Sequence, residues 1–487
     1  MKVVIIGSGI AGMAASVRLA VAGHQVSIYE TNGFVGGKLS SFKIGDYRFD
    51  AGPSLFTMPH LINELFELAG EQSEDHFQYT KKNIGCKYFW KDGTILNAYA
   101  DQAAYLTEVE NQLGVPAARL KTYLDRAQLK YELTAPLFLE QSLHKWQGLL
   151  RKETWECIKH LSLFEIGQSL HQVNQKQLEE SHLVQLYDRF ATYNGSNPFQ
   201  TPGIMTLVQH LEQHYGTFVP KKGMVSISES IAELAKRCGV SIHLNKKVDE
   251  ILVRQNKAIG IQTGTETVDA DLVVSNMDVV PTYRHLLPRQ KAPERILKED
   301  RSSSAIIFYW GVKSTFPNLE LHNIFFSEDY KAEFEAIFKN QTVPLDPTIY
   351  VNITSRDVAG DAPKGCENWF VMINTPCDSG QDWESMVNQL REAVLQHLQF
   401  TLKKDLGSLI EEEYIMTPPM IAERTGSHQG ALYGSSSNGA MSAFLRHANF
   451  SRHIKNLFFC GGSVHPGGGI PLCLLSAKIV TDLIQND

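Results

Sequence analysis

The chain has 487 residues, 43% of them hydrophobic and 20% charged, which excludes a disordered, collagen-like or coiled-coil protein. Its 46 Lys and Arg against 53 Asp and Glu give a net charge of −7, the opposite of the basic surplus carried by a bulk nucleic-acid binder, so no nucleic-acid partner is expected. This length predicts two or three domains with room for a sizeable ligand.

The first element is the β-branched run Lys2–Ile6, a pattern of a buried parallel strand. Gly7-Ser8-Gly9-Ile10-Ala11-Gly12 follows, then a helical stretch from Met13 to Ala22 stopped by Gly23, then a strand Gln25–Tyr29 ending at Glu30. This is the order of a dinucleotide-binding fingerprint. Gly7 permits the tight turn, Gly9 lets the backbone approach a pyrophosphate, and Gly12 lets helix and strand pack closely. The helix start at Ile10 and Ala11 offers unpaired N–H groups to phosphates. Glu30, 18 residues beyond Gly12, is placed to accept hydrogen bonds from ribose hydroxyls. The fingerprint alone does not choose between FAD and NAD. No leader is expected, because the apolar start breaks into glycines and then Arg18.

Residues 130–170 interleave Leu133, Leu137, Phe138, Leu139, Leu143, Trp146, Leu149, Leu150, Trp155, Ile158, Leu161, Leu163 and Phe164 with Lys145, Arg151, Lys152 and Lys159. Such a mixture fits a membrane-contact region, or a core helix pair with a solvated charged face. Arg189–Gly203 reads as a loop. Pro220-Lys221-Lys222-Gly223-Met224 precedes a helix over Ile227–Cys238, and Val240–Leu244, Val248–Val253 and Asp271–Ser275 read as strands. Ser302–Val312, Thr348–Ile353 and Trp369–Asn374 are apolar strand candidates, as tunnel floor or as plain core. At the C-terminus a strand Leu457–Cys460 leads into Gly461-Gly462-Ser463, then His465-Pro466-Gly467-Gly468-Gly469-Ile470-Pro471, then a helix to about Ile484 with Pro471 at its first position. The uncharged run Leu457–Ala477 carries too many Gly and Pro for a spanning helix, so no transmembrane helix is expected. Seven cysteines at 86, 157, 238, 366, 377, 460 and 473 form no C-x-x-C pair, so neither a disulfide framework nor a metal site is expected.

Three further motifs carry a resemblance. Gly36-Gly37-Lys38 after the acidic residue, then Phe49-Asp50-Ala51-Gly52-Pro53-Ser54, resemble signatures of the amine oxidase and carotenoid desaturase flavoproteins, and the C-terminal glycine block resembles their flavin-supporting loop. Nearly end to end the chain resembles the phytoene desaturase-type carotenoid desaturases. Lys38 in the glycine-glycine motif, Thr57-Met58-Pro59-His60 and Arg189-Phe190-Ala191-Thr192-Tyr193 resemble the 1-hydroxycarotenoid 3,4-desaturase branch.

The resemblance implies an α/β fold, with a Rossmann-like FAD-binding domain (about 1–75, 216–280 and 450–487) interleaved with an α+β substrate domain (76–215 and 281–449). It implies non-covalent FAD held by Gly7, Gly9, Ile10, Ala11, Gly12, Glu30, Gly36, Gly37, Lys38, Gly52, Pro53, Ser54, the backbone of Val248, Asn276, Gly461, Gly462, Ile470, Pro471 and Leu472. Neither Cys460 nor Cys473 sits in a flavin-attachment pattern. The implied reaction is desaturation of a carotenoid by hydride transfer to flavin. Oxygen or a quinone would be the electron acceptor, and the protein would be cytoplasmic and peripherally membrane-bound. No catalytic base is named: His465 fits a base or a structural role, and Glu140 and Lys152 fit the surface. Phytoene desaturase, carotenoid isomerase, FAD-dependent amine oxidase and a non-enzymatic pigment holder are the alternatives.

Overall fold

The computed structural model describes residues 1–144, 152–439 and 446–486. Lys145, Trp146, Leu149, Leu150 and Arg151 of the expected membrane-contact region lie outside the described residues, as does the side chain of Lys152.

The run Lys2–Ile6 is the central strand of a five-stranded sheet in the order Leu457–Phe459, Leu272–Ser275, Lys2–Ile6, Gln25–Tyr29, Ser241–His243, with every pair parallel. Lys2–Ile6, Leu272–Ser275 and Leu457–Phe459 read as near-continuous apolar runs because both faces are covered. Val3, Ile5, Val26, Ile28 and Val274 pack on one face against Met13, Val17, Ile227, Ile231, Leu475 and Ile479 from three helices. Those helices are Ile10–Val21, Val225–Arg237 and Ile470–Gln485. Val4, Ile6, Val273, Leu457 and Phe459 face the other way, onto Ile251, Ala258 and Ile261 of a three-stranded antiparallel ribbon.

A second sheet has seven strands in the order Ile410–Met416, Ser304–Val312, Glu367–Thr375, Ile349–Asn352, His322–Phe325, Ile84–Phe89, Ile95–Tyr99. Among the described residues its one parallel pair is His322–Phe325 with Ile84–Phe89. Ile306, Phe308, Trp310, Val351, Val371 and Ile373 pack with Leu390, Val394 and Leu398 of the helix Trp383–Leu402. The opposite face of the sheet looks into a cavity. The three expected strands are thus core on one side and cavity floor on the other. A helical layer that includes Gln102–Leu113, Ala117–Phe138, Leu170–Leu178 and Ser181–Asp188 closes a third core with Tyr88, Trp90 and Phe326.

Several boundaries differ from the sequence reading. The first helix begins at Ile10, so the last three residues of the glycine turn are already its first turn. Val248 lies before its strand, which starts at Glu250. Pro471 is the second rather than the first residue of the last helix, a place where its missing N–H still costs nothing. Arg189–Asn194 is a 3-10 helix rather than loop, ended by Gly195 in the left-handed region at φ 58°. The Gly-Asn-Pro composition marks only the far end of that segment. Its start is held by rings packed around the Arg189 guanidinium, 4.6 Å from the Phe190 centroid and 5.1 Å from that of Tyr193. All seven cysteines are unpaired.

Candidate active site

A cavity of about 1080 Å³ opens beyond the carboxyl ends of the parallel strands. Ile6, Glu30, Asn276 and Gly461, each at or just after the end of one of those strands, line it, and Ile307, Tyr350, Phe370, Met372 and Met416 of the second sheet line it too. Ligands of open α/β sheets bind in this crevice. Every cofactor residue expected from the sequence lines this one cavity except Gly12. Gly12 stands behind the turn, where a Cβ would fall 2.4 Å from the Gly7 carbonyl oxygen and 2.9 Å from Asn276 Oδ1.

One end of the cavity is built for a nucleotide. Gly7 takes φ 93°, and the helix starting at Ile10 has no side chain capping its N-terminus. Its first N–H groups therefore remain for an anion. The buried Glu30 carboxylate accepts from Ser8 N at 2.8 Å, Ser8 Oγ at 2.9 Å and Asn32 N at 2.8 Å. A carboxylate has about four acceptor sites, so one is left for a ribose hydroxyl. Asn276 pins the turn from behind, donating from Nδ2 to the Cys460 carbonyl at 3.1 Å. Val248 adds an apolar wall.

The next stretch is bare backbone. Gly36 N donates to Ser8 O at 2.9 Å, and a Cβ on Gly37 would meet Gly9 Cα at 3.4 Å. Gly36 and Gly37 take φ 105° and 58°, conformations that favour glycine. Lys38 Nζ donates to the carbonyls of Leu432 at 2.8 Å and Ala431 at 3.1 Å. Burial lowers the pKa of this ammonium, against the opposing pull of Asp278. On the other side, Arg446 Nη1 holds the Tyr433 carbonyl and, at 3.2 Å, that of Gly462. Gly469 at φ 101° precedes the helix that begins Ile470-Pro471-Leu472, again without a side-chain cap. Uncapped N–H groups, a carboxylate and glycine backbone at these positions fit a flat ring system joined by a diphosphate to a nucleoside.

The sequence offered no site role for Glu212, His322 or Tyr350, which also line the cavity. Arg189 Nη1 and Nη2 donate to Tyr193 Oη at 2.9 Å and Tyr88 Oη at 2.8 Å, and Tyr193 Oη donates to Glu212. Ser54 Oγ lies 2.7 Å from Tyr350 Oη, which lies 2.7 Å from His322 Nδ1. His465 lines the cavity, 2% exposed, with Nε2 2.8 Å from the Gln141 carbonyl, and burial pushes its pKa down to about 4. Glu140 is exposed. Cys473 lines the cavity and burial pushes its thiol up to about 11, while Cys460 is buried in the helix–sheet core.

The chain matches the model of the flavin containing amine oxidoreductases over residues 10–485. It is 52% identical to a 1-hydroxycarotenoid 3,4-desaturase of Flavobacterium, over 100% of this chain and 99% of that one. It is 31% identical to a 4,4'-diapolycopene oxygenase of Methylomonas, over 100% and 98% of the two chains. Among solved structures it resembles an oxidoreductase from Methanosarcina mazei, with a TM-score of 0.65 at 15% identity and full coverage of both chains. A putrescine oxidase redesigned in its cofactor binding gives a TM-score of 0.65 at 13% identity, over 100% and 99%. These structural likenesses extend the fold over the whole chain. The protein is an oxidoreductase whose cofactor is FAD, and it belongs to the flavin-containing amine oxidoreductase family, within the group of the carotenoid desaturases and oxygenases.

Proposed function

We propose that this enzyme introduces a double bond between carbons 3 and 4 of a 1-hydroxycarotenoid. The observation that carries the reading is the full-length 52% identity to an enzyme of that name, joined to a cavity floored by a continuous side-chain row. Cα pairing sets Met416, Ile307, Met372, Tyr350 and Ile324 side by side across five strands, and all five line the cavity. An elongated, almost wholly apolar floor suits a polyene and offers little to a small amine.

In this reading Gly7, Gly9, Ile10, Ala11 and Glu30 hold the nucleotide half of FAD. Gly36, Gly37, Lys38, Gly52, Pro53, Ser54, Val248, Asn276, Gly461, Gly462 and Ile470–Leu472 complete its cradle, and Gly12 keeps the turn closed from behind. The FAD-binding domain comprises 1–75, 216–280 and 450–487, and the substrate domain 76–215 and 281–449. Bound FAD would supply the two-electron oxidant, taking one hydrogen as hydride from an allylic carbon while the neighbouring carbon loses its proton to a base or solvent, and oxygen or a quinone would reoxidise the flavin.

The chain's own part is placement and exclusion of water. The apolar row holds the reacting bond against the ring's site and strips solvent from the allylic cation that forms. The N-terminus of the helix Ile470–Gln485 points its positive dipole end at the cavity and favours negative charge there, worth up to about 2 kcal/mol when partly buried. FAD is held non-covalently, since buried, protonated Cys473 and Cys460 are poor nucleophiles.

Peripheral membrane contact fits the helix Lys152–Lys159 and the short stretch after it. Trp155, Ile158, Leu161 and Ile166 are 58%, 47%, 52% and 45% exposed, an apolar patch beside exposed Lys159. The helix that precedes them in the chain ends at Phe138 and Leu139, which line the cavity, so a carotenoid could pass from lipid to the site there. No helix among the described residues is long and apolar enough to cross a membrane.

Expression in cells that accumulate a panel of carotenoids tests the function. A red-shifted pigment only where 1-hydroxycarotenoids are present supports it. Conversion of phytoene, or a product heavier by oxygen, would replace it with a phytoene desaturase or an oxygenase.

A further inference from the structure

We infer that His322, fixed by Tyr350, donates a hydrogen bond from Nε2 to the substrate's C1 hydroxyl and so selects hydroxylated over plain acyclic carotenoids. The inference rests on the desaturase reading above and adds the groups that recognise the alcohol.

His322 is 2% exposed and lines the cavity. Its Nδ1 edge is committed, with Tyr350 Oη at 2.7 Å and Asn352 Nδ2 at 3.2 Å. That Asn352 nitrogen also donates to the Leu321 carbonyl at 3.0 Å, which fixes the amide's orientation. An amide nitrogen only donates, so Nδ1 must accept. Burial pushes the imidazole pKa down to about 3, so the ring is neutral and its single proton sits on Nε2. Nε2 is buried and has no hydrogen-bond partner among the described residues. The result is a buried, unpaired N–H donor on a residue that lines the cavity, and such a group is costly to leave unpaired.

The donor belongs to a polarised chain. With Nδ1 accepting, Tyr350 Oη donates to it, and Ser54 Oγ donates in turn to Tyr350 Oη at 2.7 Å. Hydrogen bonds aligned in this way strengthen one another. Ser54 also ties the chain to the flavin-facing backbone, because Gly52, two residues before it, presses on the Lys38 carbonyl.

The substrate's chemistry asks for a donor near that place. In a carotenoid with a hydroxyl on C1 and a reacting C3–C4 bond, three bonds separate the oxygen from C3, so the oxygen lies within roughly 4 Å of it. A group that recognises the hydroxyl must therefore stand beside the reacting bond and not at the far end of the tunnel. Arg189, Tyr193 and Glu212, the other polar cluster on the wall, bond mainly to one another and to Tyr88 behind them. A hydroxyl that accepts from Nε2 completes the site, whereas a hydrocarbon end leaves the N–H unpaired. Discrimination of this kind rejects an analogue that lacks the hydroxyl far better than a purely apolar pocket can reject an extra one.

The test compares FAD-loaded full-length protein with its variants on a 1-hydroxycarotenoid and on the same carotenoid without the hydroxyl, as the ratio of the two kcat/KM values and of the two dissociation constants. His322→Leu should lower both ratios by roughly 10- to 100-fold, acting mainly on the hydroxylated substrate. His322→Gln, which keeps an N–H donor, should recover part of the loss. Tyr350→Phe, which keeps the ring but frees the imidazole, should lower the ratios several-fold and decides the matter if His322→Leu does not fold. Equal losses on both substrates, with the ratios unchanged in His322→Gln and Tyr350→Phe, would overturn the inference while leaving the desaturase reading intact. Wild-type protein that converts neither carotenoid would overturn both.

Discussion

Gly52 sits so close to Lys38 that a Cβ on it would fall 1.9 Å from the Lys38 carbonyl oxygen. The contact clamps the segment leading to Ser54 onto the glycine turn at Gly36 and Gly37. Gly52→Ala must push these strands of backbone apart, and overpacking of this kind costs about 1–3 kcal/mol. The expected outcome is a lower melting temperature and a purified protein with little bound flavin, read from visible absorbance per mole of protein. Full flavin content would show that the clamp does not shape the cradle.

Glu30 accepts from three donors at once. In Glu30→Gln an NH₂ group replaces one oxygen and faces the N–H of Ser8 or of Asn32. A buried donor left unpaired costs about 1–3 kcal/mol. Stability should fall by that amount in the apoprotein, and FAD should bind at least roughly tenfold more weakly, each read from thermal unfolding with and without added FAD.

How much of this was legible depended on how local each signal was. The turn from Gly7 to Gly12, Glu30 and the block from Gly461 to Leu472 each announce themselves within a few residues, because glycine conformation and helix starts are local properties. Most of their residues line the cavity, with Gly12 behind it. The chain Ser54–Tyr350–His322 left no such trace, since His322 and Tyr350 meet only through the antiparallel pairing of their two strands, and Ser54, in no strand, joins them from 296 residues away. Nor did Ser304–Val312 reveal which of its residues face the ligand: all nine are buried, so no alternation shows.

Glu333 gives a pH dependence. It is buried, its Oε2 accepts from Ser327 Oγ and Thr348 Oγ1 at 2.7 Å each, and burial pushes its pKa from 4.5 up to about 7. The folded state thus binds more protons than the unfolded chain between those values, so stability falls as pH rises from about 4.5 to about 7. The loss amounts to about 3 kcal/mol by linkage. Glu333→Gln should flatten this slope and be the more stable protein above pH 7, as measured by denaturant unfolding across the range. Parallel pH curves for the two proteins would contradict it.

The exposed apolar patch gives a fourth handle. Replacing Trp155 and Ile158 with Ser removes the two large apolar side chains that the helix Lys152–Lys159 exposes, without touching the cavity lining. Sedimentation with anionic lipid vesicles should fall by roughly tenfold or more, while flavin content and melting temperature stay unchanged. Undiminished vesicle binding would place the contact elsewhere.

On the reading above, FAD and a carotenoid share the cavity between the two sheets, and the first oxidises the second. The most direct measurement is mass spectrometry of the carotenoid recovered after one equivalent of FAD-loaded protein meets a 1-hydroxycarotenoid under argon. The expected product is lighter by two hydrogens, formed in an amount equal to the FAD present and absent when FAD is stripped away. An unaltered carotenoid, or one heavier by an oxygen atom, would contradict it.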